Sequence, residues 1–169
     1  MRRKLLPRLV AAWFAFAALT ACGGDGFGGP WPHSVVDETA IALHELVNDA
    51  RATSRSCGAR GWFDAVPPLA LEPRLTRAAQ LHAEDMLATG TMSHTGSDGS
   101  TFTQRIDRQG YAWASAGENV ARGYPTPEAV VDGWLGSDGH CANLMGGGFS
   151  DLGAGEADRF WTLVFARPQ

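Results

Sequence analysis

The stretch "GWLGSDGHCANLM", residues 133–145, sets an imidazole and a thiol side by side at His140 and Cys141, with the hydroxyl of Ser137 three residues before the histidine. A thiol or hydroxyl activated by a histidine is the elementary kit of nucleophilic catalysis, but such pairs meet in space rather than along the chain, so adjacency alone assigns no role. The strained turn and oxyanion-hole glycines of familiar serine hydrolases are missing around Ser137. Position sorts three of the other histidines. His44 flanks one apolar stripe of helical spacing and His82 lies on another, which gives both a structural reading. His94 falls in a loop ahead of a short helix, where a side chain is free to do chemistry.

Export and cysteine count come next. Arg2, Arg3, Lys4 and Arg8 precede an apolar run from Leu9 to Leu19, which is too short to cross a bilayer as a permanent helix. The run ends in "LTAC", which resembles a bacterial lipobox. On that reading residues 1–21 are a lipoprotein signal peptide and Cys22 is the acylated first residue of the mature chain, its link to the membrane. An ordinary secretory peptide is the alternative. The expected location is extracytoplasmic and membrane-anchored, or secreted; Gly23 rather than Asp after Cys22 points to the outer membrane if the host has two. From Cys22 onward ten arginines, no lysine and eighteen acids leave a formal charge of −8, which argues against a nucleic-acid partner. Residues 22–34 read as a flexible Gly-rich tether without the Gly-Lys-Ser/Thr of a phosphate loop. With Cys22 spent on lipid, Cys57 and Cys141 are expected to pair in an oxidising compartment. The bond would close a loop of about 85 residues, worth roughly 4–5 kcal/mol in the chain-entropy model. Two free thiols, or Cys141 as a nucleophile, are the alternatives.

The elements that must position these groups follow from caps and periodicity. Ser34 and Asp37 stand in capping-box spacing ahead of the stripe Val36, Ala40, Leu43, Val47 and Ala50. A second helix is expected from about Glu72 to Thr89, with Leu75, Ala79, His82 and Met86 on one face and Gly90 as its C-terminal cap. Asp98-Gly99 marks a turn, Ser100 or Thr101 caps a short helix, and Gly110 ends it. Thr126, Pro127 and Glu128 make a clear helix start. Val130, Trp134 and Ser137 then share a face, which directs Ser137 inward, and "SDG" breaks the helix before His140. Residues 149–169 read as two strands joined by a turn. The fold class is α+β.

In this order, "HTGSDGSTFTQRI", "AGENVARG", "WLGSDGHCANLM" and "FWTLVF" resemble the CAP superfamily of cysteine-rich secretory, antigen 5 and pathogenesis-related proteins, in its short bacterial branch. The resemblance spans roughly residues 35–166 and places a CAP domain over residues 35–169. It implies a three-layer α-β-α sandwich with a central cleft lined by two histidines and two acids, in which the histidines of several members hold a divalent metal. The matching positions are His94, Glu118 and His140. The second acid falls at Ser137, which removes a negative charge and lowers the metal affinity expected of a site made from His94 and His140, with Glu118 as a third ligand or the holder of a water. The expected metal is zinc or another divalent ion. Asn119 and Asn143 read as loop-bracing amides.

Three functions follow. The first is a lipid-anchored module that binds a small apolar, lipid-like or cell-envelope ligand, an expectation the resemblance supplies. The second is a hydrolase, metal-assisted through His94, Glu118 and His140, or using Ser137 with His140 as base. The third is an interaction module for an envelope or host protein. Fold alone does not choose among them.

Overall fold

The structure is a computed structural model that describes residues 37–169. The signal peptide, Cys22, the tether, and the helix-start residues Ser34 and Val36 lie outside the described residues. Among the described residues, five α-helices are built around a four-stranded sheet. Helix α1 (Glu38–Arg51) starts at Asp37, whose carboxylate accepts the Ala40 N–H at 2.8 Å. A two-stranded ribbon, β1 (Arg55–Ser56) and β2 (Trp62–Phe63), follows and encloses a 3-10 turn at Gly58–Arg60. After β3 (Ala70–Leu71) comes α2 (Pro73–Thr89), capped by the Glu72 carboxylate and closed by Gly90 at φ 65°. Helix α3 (Phe102–Arg108) carries a full capping box from Thr101 to Gln104. Then come β4 (Trp113–Arg122), α4 (Pro127–Leu135) with Thr126 as its cap, α5 (Asp138–Leu144), β5 (Asp151–Ala157) and β6 (Phe160–Pro168).

Strand order is β3-β5-β6-β4, with β3 parallel to β5 and the other pairs antiparallel. Alternation along β5 and β6 divides the molecule into layers. Leu152, Ala154, Leu163 and Phe165 join one core with Leu43 and Val47 of α1, Val130 and Trp134 of α4, and Leu144 of α5. Val164 and Ala166 face the other way, into a core with Leu75 and Ala79 of α2 and Ile106 of α3. Helices cover both faces, and the result is the three-layer α-β-α sandwich. On the second face α2 lies close to β5 because Gly153 and Gly155 have no side chains. A Cβ at Gly153 would sit 2.0 Å from the Leu75 carbonyl carbon, and one at Gly155 2.4 Å from the Gln80 Cα.

One element is new and one local expectation changes. "AGENVARG" shows no strand pattern in the sequence, yet it forms most of β4, paired with β6 from Ser115 to Arg122. "SDG" does not turn the chain into a loop: Ser137 is the N-cap of α5, and His140 sits within that helix. Ser137 is therefore half-buried at a helix junction rather than fully inward, and its hydroxyl makes no capping hydrogen bond.

Candidate functional site

Strand β4 lies at one edge of the sheet, and its side chains alternate between the two helical layers. Glu118 pairs with Val164, a residue of the α2/α3 core, and Asn119 pairs with Leu163, a residue of the α1/α4 core. Neighbours in sequence thus point to opposite faces. Glu118 is 5% exposed and reaches the loop between α2 and α3, where one carboxylate oxygen takes the His94 Nδ1 at 2.8 Å. Asn119 is fully buried and reaches the other layer, donating its amide to the His140 carbonyl at 3.1 Å. Asn143 closes the frame by donating to the Asn119 side-chain oxygen at 2.9 Å and to the Glu118 carbonyl at 3.3 Å. The Gly-Glu-Asn run is a two-sided clamp, and the two histidines come from opposite layers around the edge of β4.

Arg105, which no feature of spacing or pattern singles out, completes the arrangement. Its guanidinium donates to the second Glu118 oxygen at 2.6 Å, to the His94 carbonyl at 3.1 Å and to the Ser100 carbonyl at 2.9 Å. The pair is buried, with side chains 9% and 1% exposed. Arg105 therefore fixes both the carboxylate and the loop that carries His94. Its signal lies inside "HTGSDGSTFTQRI", but only as part of a motif, since the contact it makes is between separate elements.

The His94 side chain is 55% exposed although its Nδ1 is anchored, so Nε2 remains for a ligand or solvent. The Glu118 carboxylate beside it raises the His94 pKa, through the hydrogen bond more than through charge. His140 shifts the other way: burial disfavours its charged form, and the nearby charge of His94 lowers it further. One imidazole is biased toward the cation and its neighbour toward the free base. Among the described residues no hydrogen bond holds the His140 ring; the ring is placed by its helix, by Asn119 on its carbonyl, and by the adjoining disulfide. That disulfide joins Cys57 to Cys141, as the cysteine count predicts, with Cα atoms 5.5 Å apart. It excludes a free thiol nucleophile at Cys141.

The donor set does not fit a resident metal. Among the described residues no group of three or more His, Cys, Asp or Glu is arranged to hold one. Glu118 commits one oxygen to His94 and the other to Arg105, and Ser137 replaces the second acid, so two imidazoles remain where a zinc centre takes three or four protein ligands. His44 and His82 each have a backbone carbonyl partner, as their stripes predict. The His44 Nε2 lies 2.7 Å from the Leu69 carbonyl, and the His82 Nε2 lies 2.8 Å from the Ser93 carbonyl.

Comparison with known proteins places this architecture. Uncharacterized protein YkwD of Bacillus subtilis is 31% identical over 100 residues, which is 58% of this chain and 39% of that protein, so the chain spans about two fifths of its relative. A crystal structure of an extracellular protein containing an SCP domain from Bacillus anthracis superposes with a TM-score of 0.69 at 29% identity, covering 76% of this chain and 40% of that one. An outer surface protein from Borrelia burgdorferi shares the fold, with a TM-score of 0.62 at 20% identity over 76% of this chain and 91% of its own. The family model for the cysteine-rich secretory proteins matches residues 44–158, from His44 in α1 to the β5–β6 turn, and takes in the β4 clamp and both site histidines. The chain belongs to the cysteine-rich secretory protein (CAP) family.

Proposed function

We propose that this protein is an exported, lipid-anchored binding module that receives a small cell-envelope or lipid-like ligand by its polar head at the His94–His140 edge of the sheet. The observation that carries the reading is the state of His94: its ring is more than half exposed, yet one nitrogen is held by a buried carboxylate and the backbone is held by Arg105. An exposed side chain ordinarily keeps its rotamer freedom, and fixing it in advance lowers the entropic cost of binding. Below its raised pKa, Nε2 donates to an anionic or carbonyl head; above it, Nε2 accepts from a hydroxyl. Export is supported by the buried disulfide, which belongs to an oxidising compartment, by the basic and apolar N-terminus ending in Cys22, and by the extracellular and outer-surface descriptions of the Bacillus anthracis and Borrelia proteins.

Mass spectrometry of organic extracts from the purified protein tests the reading. A small ligand should co-purify with the wild type and be lost at least tenfold in His94→Ala. Equal recovery from both proteins, or none from either, overturns it.

A second reading has one observation in its favour, the opposite shifts of the two histidines. Pairs of titratable groups pushed apart by their surroundings are how one site supplies an acid and a base together. His140 would take a proton from water and His94 would give one to the leaving group. Ser137 is not placed as the nucleophile, because among the described residues no hydrogen bond joins its hydroxyl to a base. A hydrolase screen with His140→Ala as control separates this reading from simple binding.

A further inference from the structure

A cavity of about 230 Å³ lies between α2 and α3, with Arg105 in its wall. We propose that it is a binding site for a neutral polyhydroxylated ligand the size of one sugar ring, separate from the His94–His140 edge and not dependent on the reading given for that edge.

One wall is a continuous face of α2, in which Ala78, Leu81, His82 and Asp85 follow one another at helical spacing. The opposite wall comes from Asp98 and from Arg105, Arg108 and Gln109 at the end of α3. His82 is the telling residue. It is 1% exposed and its Nε2 faces the Ser93 carbonyl, which only accepts, so Nε2 carries the hydrogen. In the neutral ring that leaves Nδ1 as an acceptor, and this buried atom has no partner. Desolvation keeps the ring neutral. A buried acceptor without a donor costs about 1–3 kcal/mol, so a donor that reached it from the cavity side would be favoured.

The remaining wall groups define the class of ligand. Asp85 accepts from the Ser97 backbone N–H and hydroxyl, and Asp98 from the Ser100 N–H and Arg108, which leaves further lone pairs on both carboxylates. Arg108 spends one donor on Asp98, and the Gln109 side-chain amide has no hydrogen bond among the described residues. Arg108 is paired with Asp98 and Arg105 with the buried Glu118, so most of the charge around the cavity is matched within the protein, and the remaining acid, Asp85, is already hydrogen-bonded by Ser97. Donor and acceptor groups surround an apolar patch whose accessible part is the 36% exposed Leu81. Hydroxyl groups both give and take hydrogen bonds, and the C–H face of a sugar ring matches the apolar patch.

The test is an NMR titration of the full-length chain with glucose and with N-acetylglucosamine, using phosphate and ethanolamine as charged controls. At least one sugar should shift the resonances of Leu81, His82 and Gln109, with little effect from either control. Leu81→Asp and Gln109→Ala, both at solvent-accessible positions, should each weaken binding at least fivefold while leaving the fold intact, as judged by their remaining amide shifts. No shift with either sugar, equal or stronger binding of a charged control, or variants that bind the sugar as well as the wild type would overturn the proposal. Shifts confined to His94 and His140 would also overturn it, and would leave the edge reading standing.

Discussion

Glu118 serves two partners of different character. Arg105 carries a permanent charge; His94 carries one only below its pKa, which the carboxylate raises. In an NMR titration of the imidazole protons, the His94 midpoint should lie above the ordinary value of about 6.5 and that of His140 below it. Glu118→Gln should bring His94 down, because an amide gives no charge and a weaker acceptor. For stability the two histidines act with opposite signs. A raised folded pKa means that the His94 contribution is complete below about pH 6.5 and is lost as pH rises through the folded midpoint. A lowered one means that His140 costs stability as pH falls below about 6.5. The two losses fall on opposite sides of about pH 6.5 and together leave a shallow stability maximum there, so the separate titrations are the informative measurement, and solvent screening of the exposed His94 keeps its share small. Truncation is a different matter. Glu118→Ala strands the buried guanidinium of Arg105 and should cost about 3–5 kcal/mol in urea unfolding.

At the scale of elements the tightest constraint is the approach of α2 to β5. Gly153→Ala and Gly155→Ala each drive a methyl into helix backbone, which cannot move aside as a flexible side chain can. Each should cost about 1–3 kcal/mol, and their urea midpoints should fall together. Gly139, within α5, has open space where a methyl would go, with nothing inside 4 Å, so Gly139→Ala should be neutral or stabilising by up to about 1 kcal/mol. The same contrast explains what was legible in the sequence. Helices α2 to α4 announced themselves because their caps act locally: Gly90, Thr101 and Thr126 bond to backbone within a turn. Helix α1 is legible from its apolar stripe, and its cap is Asp37, which spacing alone sets inside a capping box begun by Ser34. Strand β4 did not, because covered on both faces it lacks the polar-apolar alternation of a half-exposed strand, and two of its buried positions are the polar Glu118 and Asn119. Helix α5 has seven residues and contains Gly139, too short a run for periodicity to separate from a turn. His94, Glu118 and His140 could be named from motif order, but Arg105 could not be given its role, because a contact between α3 and β4 leaves no trace in spacing.

At the scale of the whole molecule two features bear on the compartment, the first of them the proposed acylation of Cys22. Cys22→Ser should abolish acylation and leave an unprocessed or mislocalised precursor, read by lipid labelling and membrane fractionation; normal maturation and membrane retention would remove the lipobox reading. The second feature is the Cys57–Cys141 bond, which joins positions 84 apart and ties the turn after β1 to α5. Both cysteines are buried, and the link is reinforced beside them, where the Asp138 carboxylate accepts the Ala59 N–H at 2.9 Å. Gly58 permits that contact: its φ is 56°, and a Cβ there would lie 2.1 Å from the Asp138 Oδ1. Because the bond restrains the unfolded chain over so long a loop, Cys141→Ser should cost roughly 4–5 kcal/mol. The loss is a property of the bond rather than of either residue, so Cys57→Ser should cost a similar amount and the double variant no more than the larger single loss, within about 0.5 kcal/mol. The consequence for the site is specific. With the bond gone, His140 is held only by its short helix and by Asn119 on its carbonyl, so its titration midpoint should move back toward the ordinary value in conditions where the protein is still folded. His94, held from the opposite layer by Glu118 and Arg105, should keep its raised midpoint. If both histidines shift together in Cys141→Ser, the disulfide supports the sandwich as a whole and not His140 in particular.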